Sequence, residues 1–593
     1  MLVATYRSFK GKISTLRSSD SSGEWKFRAK LMVALAIPIF LETLDYTVVA
    51  TAQGEIASEF NRLDQQSYIG TLYLLTATVF LPFFASVADI YGRHFAIQAS
   101  FVFFILGSAL STGAKNMEMM LAGRAIAGVG AAGLLTVVRV ILSDSDSLDA
   151  NNWQVSVLFL LYAIGYSVGP VIGGYLANVS FRWIFAINLP ACVSAMILVA
   201  VLLRKHLRKG FVVDQFSPDG KSADMTFLGK FLKIDWIGTT LFTSGGILVL
   251  LALNWGSSEG WNTAKVIACF VVGGIIFVPC FVWQYYLGRQ ANLRIPPTSP
   301  LLSAYPIIPL DVFRNYDVVT VQAASFAGGM VMIVMFYFVA TFLTIVSGLE
   351  PKGAGVQLVY FAPGSGGGTL LAIYLISRLR QPRYPIMLGS VVLPISLGLV
   401  SMAVQQEDQA SIKGYVAMAG VGCGLTLGSL NVQARFSQAP ERVAVVAALS
   451  LFFRSLGGTV GLAQCGAVLN AKARAYIAAA IASGRIPPEF ASSFGSQYTG
   501  NIGSLKSINE LPQAMQVVVR EAFRDGVRWC FISLVPWAAV AFLLTLYLSD
   551  IPDSESQGKM SERKEDSKES EMELNRVPDI ERELKSRDIR EAS

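Results

Sequence analysis

The chain is poor in charged residues. Only 15% of its 593 residues are Asp, Glu, Lys or Arg, and 53% are hydrophobic, whereas a soluble protein carries about 25% charged residues. A water-soluble protein of this length would need several cores covered by polar shells, and this composition cannot supply those shells. The composition therefore excludes a soluble protein and indicates many membrane spans, each of roughly 20 apolar residues.

Residues that build metal, disulfide and catalytic sites are also scarce. The chain has 2 histidines and 6 cysteines, and the cysteines lie in apolar segments without a CxxC pair. This distribution predicts buried thiols, with no metal site and no cofactor. The net charge of +7 comes from short basic pieces between apolar runs, so nucleic acid is not an expected partner. No nucleophile and base form a recognisable set, and the sequence does not predict an enzyme.

Long apolar runs predict 14 transmembrane helices, and therefore an all-α, multi-pass integral membrane protein. The predicted spans lie near residues 31–52, 66–87, 95–114, 118–142, 153–177, 183–203, 235–254, 264–287, 318–342, 354–377, 384–404, 413–431, 443–470 and 527–548. They divide the chain into an N-terminal tail (1–30), six helices (31–204), a loop (205–234), two helices (235–287), a loop (288–317), six helices (318–548, with an outer loop near 471–526) and a disordered tail (549–593).

Lysine and arginine set the predicted orientation. They concentrate in residues 1–30 and in the loops on the same side, including 204–209 and 378–383, whereas most of the opposite short loops hold about one cation each. Because cytosolic loops carry the excess of basic residues, both termini and both longer loops are predicted to face the cytosol.

Two acidic residues interrupt the first span. Charge inside a bilayer is costly, so such residues mark functional sites by default. Glu42 and Asp45 are three positions apart and share one face of the helix, and burial enables such carboxylates to take up and release protons. Arg124, in the fourth span, is the deep cation expected beside them. We predict proton coupling by Asp45, Glu42 and Arg124; the alternative is a static buried ion pair that joins the two spans.

The fifth predicted span is rich in glycine. Gly165, Gly169 and Gly173 recur every fourth residue, with Gly174 beside the last of them. Small residues at this spacing allow another helix to approach closely. Pro170 removes a backbone hydrogen bond and weakens the helix locally. The combination predicts a deformable contact between helices.

The short loop between the second and third spans combines an acid, a turn glycine and a cation. Asp89, Gly92 and Arg93 stand within five positions. Such a loop can hold the cytosolic ends of two helices together, and the contact can break and re-form when the protein changes state. We therefore predict a conformational latch, with an ordinary tight loop as the alternative.

These segments resemble the motifs of the major facilitator superfamily, in particular its fourteen-span drug:proton antiporters in their fungal form. Residues 45–52 are similar to the first-span motif of that branch, whose aspartate is implicated in proton coupling. Residues 89–93 resemble the superfamily's loop motif. The fourth-span motif is similar to Arg124 with Gly128 and Gly130, and the antiporter motif of the fifth span is similar to residues 165–174. The resemblance extends over roughly residues 30–550.

The resemblance implies a fold and a function. The expected fold is two six-helix halves around a central cavity, with the two helices of 235–287 between them and alternating access by rocking. The expected function is export of small amphipathic organic compounds in exchange for protons. Tyr46, Phe336 and Tyr337 occupy helical positions that could face the cavity, with lipid contact or helix packing as the alternative. The expected partners are a small-molecule substrate, protons and the lipid bilayer, and the expected state is a monomer.

Two alternatives remain open at the level of sequence. A vacuolar carrier that exchanges basic amino acids for protons would suit Glu42 beside Asp45 equally well. A membrane sensor that has lost transport would signal through its tail, but the tail of 549–593 has no folded domain. The plasma membrane is the expected location for the exporter and the vacuolar membrane for the basic amino acid carrier.

Overall fold

The backbone of a chain inside a bilayer satisfies its N–H and C=O groups most readily in helices, and nearly all described residues are helical. The computed structural model describes residues 21–62, 65–143, 180–204, 207, 226–293, 299–349, 351–438, 442–485 and 513–551, with scattered positions between 154 and 179. Of the predicted tail of 549–593, the residues after 551 lie outside the described part of the chain. Most of the predicted N-terminal tail also lies outside it.

The first part of the chain forms seven named helices. They are α1 (Ser21–Glu59), α2 (Gln66–Val79), α3 (Leu81–Tyr91), α4 (Arg93–Thr112), α5 (Met117–Ser143), α6 (Phe181–Ala186) and α7 (Asn188–Leu203). The described residues between 154 and 179 are helical as well, and this stretch is called the glycine segment below.

Ten further helices complete the fold. They are α8 (Phe227–Lys233), α9 (Trp236–Glu259), α10 (Ala264–Asn292), α11 (Tyr316–Thr341), α12 (Pro351–Leu358), α13 (Phe361–Leu379), α14 (Arg383–Gln406), α15 (Gln409–Phe436), α16 (Val443–Ala482) and α17 (Gln513–Thr545). A π-helical turn, Phe342–Val346, extends α11. Helices α16 and α17 both extend into the segment that the sequence predicted as an outer loop.

Twelve helices in the described part of the chain are long and apolar enough to cross a membrane, and the count reaches 13 if a bent pair is one span. That pair is α2 and α3, which meet at Phe80 with a bend of 43°, and Pro82 stands in the first turn of α3. The predicted span at 153–177 falls in the partly described glycine segment. The prediction of an all-α membrane protein is confirmed.

Helices α1 to α7 with the glycine segment form one half of the molecule, and α11 to α17 form the other. Helices α9 and α10 pack on each other, and α9 contacts both α2 and α16. The side chain of Asp235, 1% exposed, joins this pair, because it accepts hydrogen bonds from the backbone of Gly238 in α9 and from Trp283 and Gln284 in α10. The two intervening helices therefore lie at the junction of the halves.

The halves are in contact through α16, which packs against α2, α3 and α5. Leu451 of α16 is buried in one cluster with Leu81, Phe84 and Ala132 of the first half. The end of the bundle at the turn that joins α3 to α4 is called the α3–α4 end. Towards the opposite end of the bundle, the cluster of Val48, Ile56 and Met117 with their neighbours consists of first-half residues, and Ile345, Met515 and Val519 form a second-half cluster.

The chain turns back on itself after α17. Ser549 donates its backbone N–H to Asp317 Oδ1 at 2.9 Å, and Ile551 exchanges two backbone hydrogen bonds with the side-chain amide of Gln381. Leu548 and Ile551 are 3% and 4% exposed. Residues 548–551, called the strap below, thus tie the end of α17 to α11 and to the turn between α13 and α14.

Candidate functional site

Asp45 and Arg124 form an ion pair between α1 and α5. The Nη1 atom of Arg124 lies 2.7 Å from Oδ2 of Asp45, and the two side chains are 1% and 0% exposed. The structure therefore brings together the aspartate and the deep cation that the sequence selected. At this depth each charge depends on the other, because neither has water to solvate it.

Neutral groups complete the surroundings of this pair. Asn188, at the start of α7, donates its side-chain N–H to Asp45 Oδ1 at 2.8 Å. Arg124 donates through Nε to the carbonyl of Ile69 at 3.3 Å, and its guanidinium stands 4.2 Å from the centroid of the Tyr73 ring. Both carboxylate oxygens of Asp45 are thus engaged by donors from other helices.

Glu42 lies in different surroundings from Asp45, although the two residues share one helix. Its side chain is half-buried and accepts a hydrogen bond from the Thr43 hydroxyl at 3.4 Å. The charges that act on it most strongly are those of Arg454 in α16 and Arg139 in α5, ahead of Asp45. Glu42 therefore belongs to a second group of charges between the two halves, and the structure does not place it in the Asp45–Arg124 pair.

Arg139 is a buried cation that sequence reasoning missed. It is 4% exposed, its Nη1 atom donates to Asn431 Oδ1 of α15 at 3.4 Å, and its guanidinium lies 5.9 Å from the centroid of the Tyr162 ring. The bond to Asn431 joins the two halves. A cation within an apolar run was the available signal, since the rule that singled out the acids of the first span applies equally to arginine.

Asn188 was also missed as a site residue. An uncharged amide in a helix carries no sequence signal of its own, and its role appears only when α7 is packed beside α1. Arg454 of α16 is half-buried, and the sequence analysis gave it no function.

The glycine segment packs closely against α1. A Cβ atom built on Gly169 would lie 1.7 Å from the hydroxyl oxygen of Thr47, and one on Gly165 would lie 2.8 Å from Cβ of Thr43. Both glycines are buried, and so is Gly173. These threonines flank Asp45 along α1, so the glycines allow the contact at the level of the ion pair. Pro170 and Gly174 lie outside the described residues.

The predicted latch joins α3 to α4. Arg93 Nη1 lies 2.7 Å from Asp89 Oδ1 and donates a second hydrogen bond to the carbonyl of Ala88 at 2.8 Å. Gly92, between the two helices, has φ 99°, a conformation that glycine adopts at little cost. Asp89 and Arg93 are thus brought together across the turn.

The three aromatic residues chosen as substrate contacts differ in their surroundings. Tyr46 is half-buried on α1, one helical turn after Glu42. Phe336 is half-buried, and its ring centroid lies 4.8 Å from that of Phe361. Tyr337 is 60% exposed. Tyr337 therefore does not share the half-buried surroundings of the other two, and the part of all three in binding stays a prediction.

Membrane-length helices arranged in two halves, with charged residues enclosed between them, define the class of multi-pass membrane transporters. Residues 35–308 match the Major Facilitator Superfamily. The efflux pump FUS6 of Gibberella fujikuroi is 30% identical over 442 residues, which cover 74% of this chain and 75% of that pump. The MFS-type efflux pump LUC4 of Fusarium is 27% identical over 526 residues, which cover 88% of this chain and 87% of that pump. The chain belongs to the major facilitator superfamily.

The fold agrees with this assignment. The crystal structure of the human organic anion transporter MFSD10 matches with a TM-score of 0.56 over 87% of this chain and 99% of that chain, at 11% sequence identity. At that identity the likeness concerns the fold alone. The comparisons confirm the predicted resemblance to fungal efflux transporters of this superfamily. They also confirm the prediction that the protein is a transporter of small molecules and not an enzyme.

Proposed function

We propose that the protein exports small amphipathic organic compounds from the cytosol and takes up protons in exchange. The observation that carries this proposal is the Asp45–Arg124 ion pair, because an acid held in a dry ion pair inside a bilayer is a switch that one proton can open. The relatives named as efflux pumps support the direction of transport.

The proton acts by changing the charge of Asp45. When Asp45 is ionised, its two oxygens hold Arg124 and Asn188 at 2.7 and 2.8 Å, which binds α1 to α5 and α7. A proton that arrives from outside neutralises Asp45, so the attraction to Arg124 is lost and the three helices can shift. Return of Asp45 to the ionised form on the cytosolic side, prompted by substrate, restores the pair and completes the exchange.

The glycine segment transmits this shift. Thr43 and Thr47, on either side of Asp45, are packed against Gly165 and Gly169, so a rotation of α1 must move the glycine segment with it. The Asp89–Arg93 latch at the turn between α3 and α4 would break and re-form as the halves rock.

The arrangement of the halves supports a state that is open away from the α3–α4 end. The halves share the cluster around Leu451 and Phe84, on the helix α3 that leads to that end, whereas two clusters towards the opposite end are built within one half each. With the predicted orientation, the α3–α4 end faces the cytosol, so protons from outside would have the shorter path to Asp45. The plasma membrane location and the monomeric state remain predictions.

The carrier of basic amino acids is less well supported. Its sequence argument was a pair of acids on one face of α1, but Asp45 is matched by Arg124, and Glu42 experiences the charges of Arg139 and Arg454. Each of the two acids therefore has arginine charge acting on it, which leaves less attraction for a cationic substrate.

The Asp45→Asn variant tests the proposal. A strain sensitive to toxic compounds, expressing the wild type, is screened for resistance to a panel of amphipathic compounds, and one exported compound is followed in sealed vesicles under an imposed pH difference. Compared at equal amounts of inserted protein, we expect Asp45→Asn to lose pH-driven export, since asparagine cannot be protonated in this range. Asp550→Asn, which removes an exposed carboxylate, should export normally.

Two results would overturn the proposal. One is export by Asp45→Asn at the wild-type rate against a concentration gradient. The other is wild-type export that does not respond to the imposed pH difference.

A further inference from the structure

The short helix α8 lies at the end of a membrane span. It has 7 residues, too few to cross a bilayer, and it ends at Lys233. Helix α9, which is long and apolar enough to cross a membrane, begins at Trp236. Three residues of extended chain reach at most about 11 Å, so α8 must lie close to the membrane surface.

Four large apolar side chains of α8 are exposed on one face. Phe227 and Leu228 are 64% and 69% exposed, and Phe231 and Leu232, one helical turn later, are exposed as well. At 3.6 residues per turn these four positions fall within about 140° of the helix circumference, and both lysines of α8 fall on the opposite side. Helix α8 is therefore amphipathic, and its apolar face is not buried in the protein.

Neighbouring helices fix the position of this apolar face. Tyr91, in the turn between α3 and α4, donates its hydroxyl to the carbonyl of Phe227 at 3.2 Å, and Trp236 donates Nε1–H to the carbonyl of Phe231 at 3.0 Å. The centroid of the Phe227 ring lies 6.0 Å from that of Phe95 in α4. Phe95 and Trp236 are themselves exposed on helices of membrane length, so the apolar face of α8 continues the surface that those helices present to lipid.

The charge of α8 is positive. Both of its charged residues are lysines, and Lys230 is half-buried. The acid that follows in the chain, Asp235, is 1% exposed and accepts hydrogen bonds from donors in α9 and α10. With the predicted orientation, α8 meets the cytosolic leaflet, whose anionic lipids attract lysine. A helix with an apolar face and lysines on the other side is suited to such a surface.

We infer that α8 is an interfacial helix that binds an anionic phospholipid of the cytosolic leaflet. The acyl chains lie against the apolar face of Phe227, Leu228, Phe231 and Leu232, and Lys230 binds the anionic headgroup. This inference goes beyond the proposed export function and does not depend on it.

Fluorescence quenching at α8 tests the inference. A bimane label is placed on Leu228→Cys in the full-length protein without its 6 native cysteines, reconstituted in phosphatidylcholine nanodiscs. The nanodiscs contain increasing fractions of phosphatidylserine or phosphatidylcholine with the same brominated acyl chains. We expect both lipids to quench the label, with half-quenching at an about fivefold lower fraction of brominated phosphatidylserine, the effect of one lysine at an anionic surface.

Charge variants show whether Lys230 causes the preference. Lys230→Gln should remove the difference between the two lipids while both still quench the label, and Lys230→Arg should keep the difference. Lys413→Gln, which removes a half-buried lysine at the start of α15, is the matched control and should quench as the parent protein does. Continued quenching by phosphatidylcholine in each variant shows that α8 is still in place.

Three outcomes contradict the inference. If neither lipid quenches the label, the apolar face of α8 is covered by something other than the bilayer, such as a partner protein. If the two lipids quench at equal fractions, α8 does not select anionic headgroups. If Lys230→Gln keeps the full preference, another residue recognises the headgroup. The measurement needs no substrate and no pH difference, so its result is independent of the export assay.

Discussion

At the scale of single residues, the interior charges differ in how completely they are satisfied. Asp45 has two donors and Arg124 has an anion, a carbonyl and an aromatic ring around it, whereas Arg454 is half-buried without an ion pair among the described residues. A fully satisfied pair can hold a conformation, so the Asp45–Arg124 pair suits the proposed response to a proton.

Removal of one member of the buried pair should be more harmful than removal of both. Arg124→Gln leaves Asp45 as an uncompensated charge, and we expect a loss of about 3–5 kcal/mol of stability. Asp45→Asn combined with Arg124→Gln leaves two neutral amides and should recover much of that loss. Thermal unfolding in detergent measures both variants.

Arg62→Gln provides the comparison, because Arg62 pairs with Glu118 at 3.9 Å on the exposed surface. Its loss should change stability by less than about 1 kcal/mol. A double variant that is no more stable than Arg124→Gln would show that the charge of Asp45 is not what Arg124 stabilises.

At the scale of elements, the strap is the feature that extends the second half beyond its helices. Leu548 and Ile551 are buried, Gln381 is occupied on both sides of its amide by Ile551, and Arg383 pairs with Asp550 at 3.0 Å. The turn between α13 and α14 thus binds a neighbouring piece of the chain. In the turn between α3 and α4, Arg93 pairs with Asp89, and Tyr91 donates a hydrogen bond to the carbonyl of Phe227 in α8 at 3.2 Å.

Two truncations should therefore differ sharply. A chain that stops after Ile551 keeps the strap and should retain wild-type stability and export. A chain that stops after Tyr547 loses two buried apolar side chains and leaves the amide of Gln381 unpaired, so we expect a loss of about 3 kcal/mol or more. Thermal unfolding of the two proteins measures the difference, and equal stability would show that the strap does not hold the second half together.

At the scale of the whole molecule, the halves are in contact through α16, and the proposed alternating access requires that this contact separate in each cycle. Leu451 and Phe452 of α16 pack there against Phe84 and Ala132. The side chains in this contact are apolar and form no hydrogen bonds with one another. The helices can therefore separate here and pack again without leaving polar groups unsatisfied.

A cross-link across this contact should stop transport. We expect a disulfide between cysteines at Ala132 and Leu451, in a background without the 6 native cysteines, to abolish export and reduction to restore it. The matched pair at Phe84 and Ala132 lies within the first half, and its oxidation should leave export intact. Export assays before and after reduction measure both effects. Full export by the oxidised Ala132–Leu451 pair would contradict rocking at this contact.

Sequence and structure agree best where the information is local. The bounds of α5 and α14 follow from apolar runs of membrane length, and Gly92 marks a turn because a positive φ favours glycine. Asp45 and Arg124 could be matched from the sequence because charges in apolar spans are few and must find partners. Glu42 was selected by the same rule. Its partners could not be predicted from the sequence, because helical spacing shows only which face of the helix a residue occupies.

The order of apolar runs and the positions of intramembrane charges are properties of the chain itself, and they determined that this protein is a helical transporter of the bilayer. Which helices become neighbours was decided by packing between residues far apart in the chain. Asn188 lies 143 positions from Asp45, and Asn431 lies 292 positions from Arg139. Such contacts depend on the side-chain volumes of many helices at once, so only the tertiary structure separates the acid that is locked to Arg124 from the acid that faces two arginines.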